Sequence, residues 1–377
     1  MNPVTIIGTG MAGYTLAKEI RKLDDHIPVR MITADDGRVY SKPMLSNALT
    51  KQLDIEKLTQ MRATDMADKF KLDIITQTRV DDILSECQQI STSRGTLEYS
   101  SLVLACGASP IRLPIGGDGA DDILSVNSLT DYEQFLAQLD NKQRIAILGA
   151  GLIGCEFAND LVNTQHQVAL IDVASKPLGR LLPDLAGDNL QQKLAGAGIN
   201  WHLNASLEAI EKTATGYSLQ LSNAETLEVD LVLSAIGLSP NTQLAQSAGL
   251  EINRGIVANS LLQTSNENIY TLGDCAEING QVLPFIMPIM HAARALAKTL
   301  TGNMIELHYP PMPVVVKTPT HPVVICPPAP GSEGEWIEEA TSNGVRARFM
   351  NNDRLEGFAL TGDAVADKNA LLKEMTA

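Results

Sequence analysis

Short apolar runs rich in β-branched residues recur along this chain, most of them closing on a glycine or an acidic residue. Residues 4–8 read as a buried strand that ends in glycine. Tyr14-Thr15-Leu16-Ala17-Lys18-Glu19-Ile20 reads as a helix and Val29-Arg30-Met31-Ile32 as a second strand. The same grammar restarts at Arg144. There Ile145-Ala146-Ile147-Leu148 leads through a glycine turn into a helix ending near Asn163, and then into the strand Val168-Ala169-Leu170-Ile171. The run Leu102-Val103-Leu104-Ala105-Cys106-Gly107 after the first unit has a counterpart in Leu231-Val232-Leu233-Ser234-Ala235-Ile236-Gly237 after the second. The pattern predicts an α/β fold with two Rossmann-like three-layer halves, a duplication of architecture rather than a short-period repeat.

From Asn268 the chain returns to strand with Ile269-Tyr270-Thr271-Leu272-Gly273-Asp274, and apolar residues at helical spacing predict a helix from His291 to about Leu300. Near Tyr309 the composition shifts to proline-rich extended segments, Pro310-Pro311-Met312-Pro313 and Pro327-Pro328-Ala329-Pro330, with β-branched runs around them. A small α+β C-terminal domain is expected there.

Length and composition narrow the class. The chain has 377 residues, which suggests two or three domains, and 44% of them are apolar against 19% charged. No apolar stretch reaches the roughly 18 residues that a membrane span needs, so no membrane insertion is expected. The N-terminus runs straight into the first strand without a leader, which points to the cytoplasm. The net charge of −15 argues against nucleic acid and anionic membranes as partners. The five cysteines, Cys87, Cys106, Cys155, Cys275 and Cys326, are scattered and form no Cys-x-x-Cys pair. Each is expected to be a small buried residue, with neither a disulfide framework nor a metal site.

Two G-x-G-x-x-G turns carry the chemistry. The first, Gly8-Thr9-Gly10-Met11-Ala12-Gly13, follows a strand and opens a helix, so that its backbone and the helix N-terminus could hold a pyrophosphate. The second is Gly149-Ala150-Gly151-Leu152-Ile153-Gly154, and Asp172 ends the next strand 23 residues after Gly149. A carboxylate there accepts hydrogen bonds from the ribose hydroxyls and repels a 2′-phosphate, so this half should prefer NADH over NADPH. The nearby Lys176 and Arg180 carry charge of the opposite sense. In the first half the aligned residue is Thr33, followed by Ala34, Asp35 and Asp36. Either Thr33 and Ala34 hold an adenosine through backbone and hydroxyl, or Asp35 reaches the ribose, or Asp35 only starts a turn.

Taken with Ala105-Cys106-Gly107-Ala108-Ser109-Pro110, its echo Ala235-Ile236-Gly237-Leu238-Ser239-Pro240, and Thr271-Leu272-Gly273-Asp274-Cys275-Ala276, the chain resembles the two-dinucleotide-fold flavoprotein reductases over essentially its whole length. That resemblance implies FAD in the first half and NAD(H) in the second. It also implies an FAD-binding domain over 1–108 and 241–308, an NAD-binding domain over 109–240 and a small C-terminal domain over 309–377. Disulfide reductases and peroxidases of this superfamily carry reactive cysteine near the flavin. The segment Tyr40-Ser41-Lys42-Pro43-Met44-Leu45-Ser46 has none. A flavin that accepts a hydride and passes on single electrons remains.

Within the superfamily, Thr33-Ala34-Asp35-Asp36, Ser41 to Ser46, Gly273 to Gly280 and Val316-Lys317-Thr318-Pro319 are most similar to the rubredoxin–NAD reductases, with the flavorubredoxin reductases as nearest siblings. By that resemblance Thr9, Gly10, Met11 and Ala12 form the FAD pyrophosphate turn, Thr33 and Ala34 meet the adenosine end, and the strand backbone at Val80 holds the adenine. Asp274 would bond the ribityl chain, aided by the dipole of the following helix, and Ile286 would offer a backbone donor. Lys42 near the flavin N5 would pair with Glu156, and Lys317 would reach the flavin from the C-terminal domain. The implied partner is rubredoxin, the implied enzyme a monomer. A reductase of ferredoxin or of a flavodiiron protein, and a flavin-bound NADH sensor without fast turnover, are the alternatives.

Overall fold

A computed structural model describes residues 2–376. Among its helices are α1 (Met11–Leu23), α2 (Leu152–Asn163), α3 (Asp184–Gly196), α4 (Ile286–Leu300) and α5 (Lys368–Met375). The chain divides into two compact units. The first comprises the stretch ending at Ser41, Glu56–Ser109 and Leu238–Pro310; the second comprises Lys42–Ile55, Pro110–Gly237 and the stretch from Pro311 onward.

The first unit is built on a five-stranded parallel sheet in the order Ile269–Thr271, Ser101–Leu104, Val4–Ile7, Val29–Ile32, Asp73–Ile75. Its central strands are apolar on both faces because helices cover both. The helix α1 buries Tyr14, Leu16, Ala17 and Ile20 and turns Lys18, Arg21 and Lys22 outward. It stops at Asp24, whose carboxylate accepts the backbone N–H groups of His26 (2.7 Å) and Ile27 (3.1 Å), just ahead of Pro28. Ile6, Leu16, Ile20 and Met31 share one core with Ala292, Ala293 and Leu296 of α4. A three-stranded antiparallel sheet, Val80–Leu84, Gln89–Thr92 and Gly95–Glu98, is inserted in this unit.

The second unit repeats the plan with the parallel order Leu124–Ser125, Leu231–Ser234, Arg144–Leu148, Gln167–Asp172, Ile199–Leu203. Its own antiparallel insertion is Leu207–Lys212, Tyr217–Leu221 and Thr226–Val229. The duplication is strand for strand with one exception. The outer strand beside the crossover comes from late in the chain in the first unit (Ile269–Thr271) and from ahead of the glycine turn in the second (Leu124–Ser125).

The α+β C-terminal part is a five-stranded antiparallel sheet, Val314–Val316, Val323–Cys326, Arg354–Thr361, Val345–Asn351, Glu335–Ala340, closed by α5 over Val324, Phe358, Leu360 and Leu371. It is fastened to α3 by polar contacts. Glu338 accepts from Leu185 N (3.0 Å) and Ala186 N (2.9 Å), capping a helix that has no side-chain cap of its own. The buried His321 bonds Asn189 (2.7 Å), which also accepts from Thr361 (2.8 Å).

Two expectations change. The helix expected from His291 begins at Ile286, because Pro288 lies in its first turn, where a missing N–H has no intrahelical partner to lose. Of the cysteines, Cys155, Cys275 and Cys326 are buried, but Cys106 is half-buried and Cys87 lies exposed in a short 3-10 turn. The segment Lys42–Ile55, between two stretches of the first unit, groups with the second.

Candidate active site

Both glycine turns sit at the carboxyl ends of the central parallel strands, where this fold places its ligands. The three glycines of each turn meet different surroundings. A Cβ on Gly8 would collide with the Ala105 carbonyl, and one on Gly13 with the Gly8 carbonyl; Gly8 also has φ +113°. In the second turn a Cβ on Gly149 (φ +101°) would come 2.7 Å from the Ala235 carbonyl oxygen, and one on Gly154 would collide with that of Gly149. Only the middle glycines, Gly10 and Gly151, face open space. Gly10 and Gly151 are also the N-cap residues of α1 and α2, and neither helix has a side-chain cap or an acidic residue in its first turn. Each turn therefore presents uncapped N–H groups and helix dipole across a gap that a pyrophosphate would fill. The residues fit a dinucleotide at both places.

In the first unit the turn is surrounded by the other predicted contacts. Thr33 lies just past the strand Val29–Ile32, and its carbonyl accepts from Thr78 N (2.9 Å) two residues before Val80. Ala34 follows it. Asp35 takes one of the roles left open for it, that of starting a turn. Its carboxylate closes a turn by accepting Gly37 N (2.9 Å), and it accepts the hydroxyls of Thr33 (2.6 Å) and Thr9 (3.4 Å), tying the acidic loop to the glycine turn. The buried Tyr14 donates to the Gly37 carbonyl (2.5 Å); burial, with Asp35 and Asp36 nearby, pushes its phenol well above the usual range. Gly273, ahead of Asp274, packs so closely on Ala12 that a Cβ would come 2.8 Å from that of Ala12. Between Asp274 and α4 lies the short strand Ala276–Ile278; Ile286 opens α4 and is about half exposed.

Two thiols of this unit, those of Cys106 and Cys275, are hydrogen-bonded to each other. Cys275 is fully buried with its thiol 3.4 Å from the Leu104 carbonyl. A hydrogen bond with Cys275, reinforced by burial, holds the Cys106 thiol well above its ordinary range and keeps it protonated.

The second unit gathers Glu156, Lys317 and the segment opened by Lys42. Lys42–Asn47 forms a short 3-10 helix packed against α2. Glu156, on α2 two residues past the glycine turn, is only 2% exposed. Its carboxylate accepts the Ser46 hydroxyl (2.5 Å), the Lys317 backbone N–H (2.9 Å) and the Lys317 ammonium. The resemblance paired Glu156 with Lys42 and took Lys317 separately to the flavin; here Lys317 itself is an ion-pair partner of Glu156.

Two residues that sequence reading passed over share this face of α2. Asp160 accepts the backbone N–H groups of Leu49 and Thr50 (both 2.9 Å), and burial raises its pKa against those bonds. Asn159 donates to the Thr320 hydroxyl (2.8 Å) and accepts from Thr320 N (3.2 Å). The signal was available. In Leu-Ile-Gly-Cys-Glu-Phe-Ala-Asn-Asp-Leu-Val-Asn the polar residues at i, i+3 and i+4 fall on one face of an otherwise apolar helix, so buried polar partners were required.

At the mouth of the second turn Asp172 accepts Ala150 N (2.5 Å) and Ala174 N (2.7 Å), one on each oxygen. These two bonds fix the carboxylate beside the second glycine turn. Among the described residues no group of three or more metal-ligating side chains occurs, and no helix is long and apolar enough to cross a membrane.

Comparison with known proteins agrees with this architecture. Residues 2–298 match the family model of pyridine nucleotide-disulphide oxidoreductase, and residues 306–375 that of the rubredoxin binding C-terminal domain. The chain is 49% identical to a Rubredoxin-NAD(+) reductase of Acinetobacter baylyi, over 98% of this chain and 96% of the relative. It is 39% identical to a nitric oxide reductase FlRd-NAD(+) reductase of Pectobacterium atrosepticum, over 100% and 99%. Among solved structures, a ferredoxin reductase from Rhodopseudomonas palustris shares the fold with a TM-score of 0.90 at 24% identity, over 99% of this chain and 95% of that one.

Proposed function

The chain belongs to the pyridine nucleotide-disulphide oxidoreductase family, and on that premise we propose that it is an NADH-dependent FAD flavoprotein that passes electrons singly to rubredoxin. The observation that carries this reading is the bridge made by Glu156. This buried carboxylate on the helix that opens the second glycine turn holds Lys317, at the start of the part matched as rubredoxin-binding. The full-length likeness to the Acinetobacter baylyi reductase supports the same acceptor.

FAD, when bound, supplies a centre that takes two electrons together and gives them up one at a time. The chain's own residues supply position and charge. The N–H groups of Thr9 to Ala12 and the N-terminus of α1 would hold the pyrophosphate, with Thr33, Ala34 and the Val80 strand at the adenosine end. Asp274 and the Ile286 backbone would hold the other end. Gly149, Gly151 and Gly154 would hold the NADH pyrophosphate, and Asp172 the adenosine ribose. By the resemblance, Lys42 and Lys317 would supply positive charge and Glu156 negative charge to a bound flavin, and a fixed ion pair can do so without reorganising. No side chain acts as a nucleophile, and orientation supplies most of the rate. We place the enzyme in the cytoplasm, acting as a monomer; its scattered cysteines suit a reducing compartment.

Reduction rates measured across purified rubredoxin, flavorubredoxin and ferredoxin test the acceptor. Rubredoxin should be fastest. Equal slow rates with all three would favour an NADH sensor instead.

A further inference from the structure

Lys176 lies four residues beyond Asp172, in the loop where a dinucleotide's adenosine ribose is read. A free ammonium there would attract a 2′-phosphate and work against Asp172. The ammonium is not free. It binds Asp188 at 3.0 Å, the Asp184 carboxylate at 3.1 Å and the Asp184 carbonyl at 3.2 Å, all on α3. Its stem lies across Gly187, a buried glycine inside that helix; a Cβ there would come 3.4 Å from Lys176 Cδ and 3.6 Å from its Cβ. These are ordinary contact distances, so the stem packs on the helix here without requiring a glycine. Asp184 is not needed to cap α3, because Glu338 already accepts the N–H groups of Leu185 and Ala186.

We propose that Asp184 and Asp188 form a latch that keeps Lys176 away from the coenzyme and so helps to set the preference for NADH over NADPH. The proposal rests on the reading of Asp172 as the ribose acceptor. The two latch residues are positioning residues; they act through Lys176 and touch no coenzyme themselves.

The test is the double variant Asp184→Asn/Asp188→Asn in the FAD-loaded protein. Helix content and unfolding midpoint are checked first, so that a failed fold is not mistaken for an effect. The latch predicts that kcat/KM with NADPH rises about fivefold while that with NADH stays within about twofold, the size expected for releasing one partly exposed charge. Inhibition by adenosine 2′,5′-bisphosphate should tighten by a similar factor and become more salt-sensitive, whereas inhibition by AMP should not move. Adding Lys176→Met to the double variant should cancel the gain. A correctly folded double variant with unchanged NADPH use and unchanged bisphosphate inhibition overturns the latch. So does a large loss of NADPH use in Lys176→Met alone, which would mean that the lysine already serves the coenzyme. Asp172→Ala measured alongside separates the two ideas. If it leaves discrimination intact, the ribose reading fails; if it relaxes discrimination while the asparagine variants do nothing, the latch alone fails.

Discussion

Lys317 is bound to Glu156 twice, through its backbone N–H at 2.9 Å and through its ammonium on the second carboxylate oxygen. Glu156 is nearly inaccessible, and Lys317 keeps about a quarter of its side-chain surface exposed. Removing one partner of such a pair leaves the other charge buried and uncompensated. Glu156→Ala should therefore destabilise the protein by about 3–5 kcal/mol in urea unfolding. Glu156→Gln, which can still accept from Ser46 and Lys317 N, should cost clearly less. Equal costs for the two would mean that packing rather than charge matters at this position.

Lys317→Met keeps the backbone bond to Glu156 and removes only the ammonium. If this lysine balances charge near the reacting centre, the rate of reduction by NADH should fall about tenfold, or about 1.4 kcal/mol of barrier. NADH affinity should be little changed. A fall in affinity without a fall in rate would recast the residue as part of a binding surface.

The unequal surroundings of the glycines predict unequal effects of adding one methyl group. Gly10→Ala points into open space at an ordinary φ of −70°, so unfolding midpoints should stay within about 0.5 kcal/mol of the parent while FAD is lost on gel filtration. Gly154→Ala drives a Cβ into the Gly149 carbonyl and should destabilise the fold by more than about 1 kcal/mol. An FAD-retaining Gly10→Ala protein would remove the pyrophosphate role from that turn.

Acid sensitivity follows from Asp230. Burial pushes its carboxyl up, but the Arg144 side chain (2.6 and 3.1 Å) and the backbone N–H groups of Arg144 and Gln143 outweigh it and hold the pKa at about 2. A depressed carboxylate stabilises the fold above its ordinary range, and that stability disappears as pH falls from about 4 toward 2. The half-exposed arginine is partly screened, so the contribution is about 1–2 kcal/mol. Arg144→Met should flatten this part of the stability–pH profile; a profile unchanged between pH 5 and pH 2.5 would contradict the assignment.

Much of this architecture was legible because it depends on local pattern. Both strand–turn–helix units, the acidic end at Asp172 and the Gly273-Asp274 signature are contiguous in sequence and obey period and turn chemistry. What was not legible depends on distant partners. Nothing near Lys42 says that its short helix packs on α2, and nothing near Lys317 names Glu156, 161 residues away, as its partner. The start of α4 was misplaced because Pro288 reads as a breaker unless its position in the first turn is known. Lys176 counts against a preference for NADH in the sequence, where its two aspartate partners on α3 are not visible.

The most direct test of the central claim is anaerobic rapid mixing of the FAD-loaded protein with NADH and then with oxidised rubredoxin. Flavin absorbance should bleach on the first mix, fast enough to support turnover, and return on the second as rubredoxin loses its oxidised colour. A flavin that NADH cannot reduce, or one that stays reduced in the presence of rubredoxin, would contradict it.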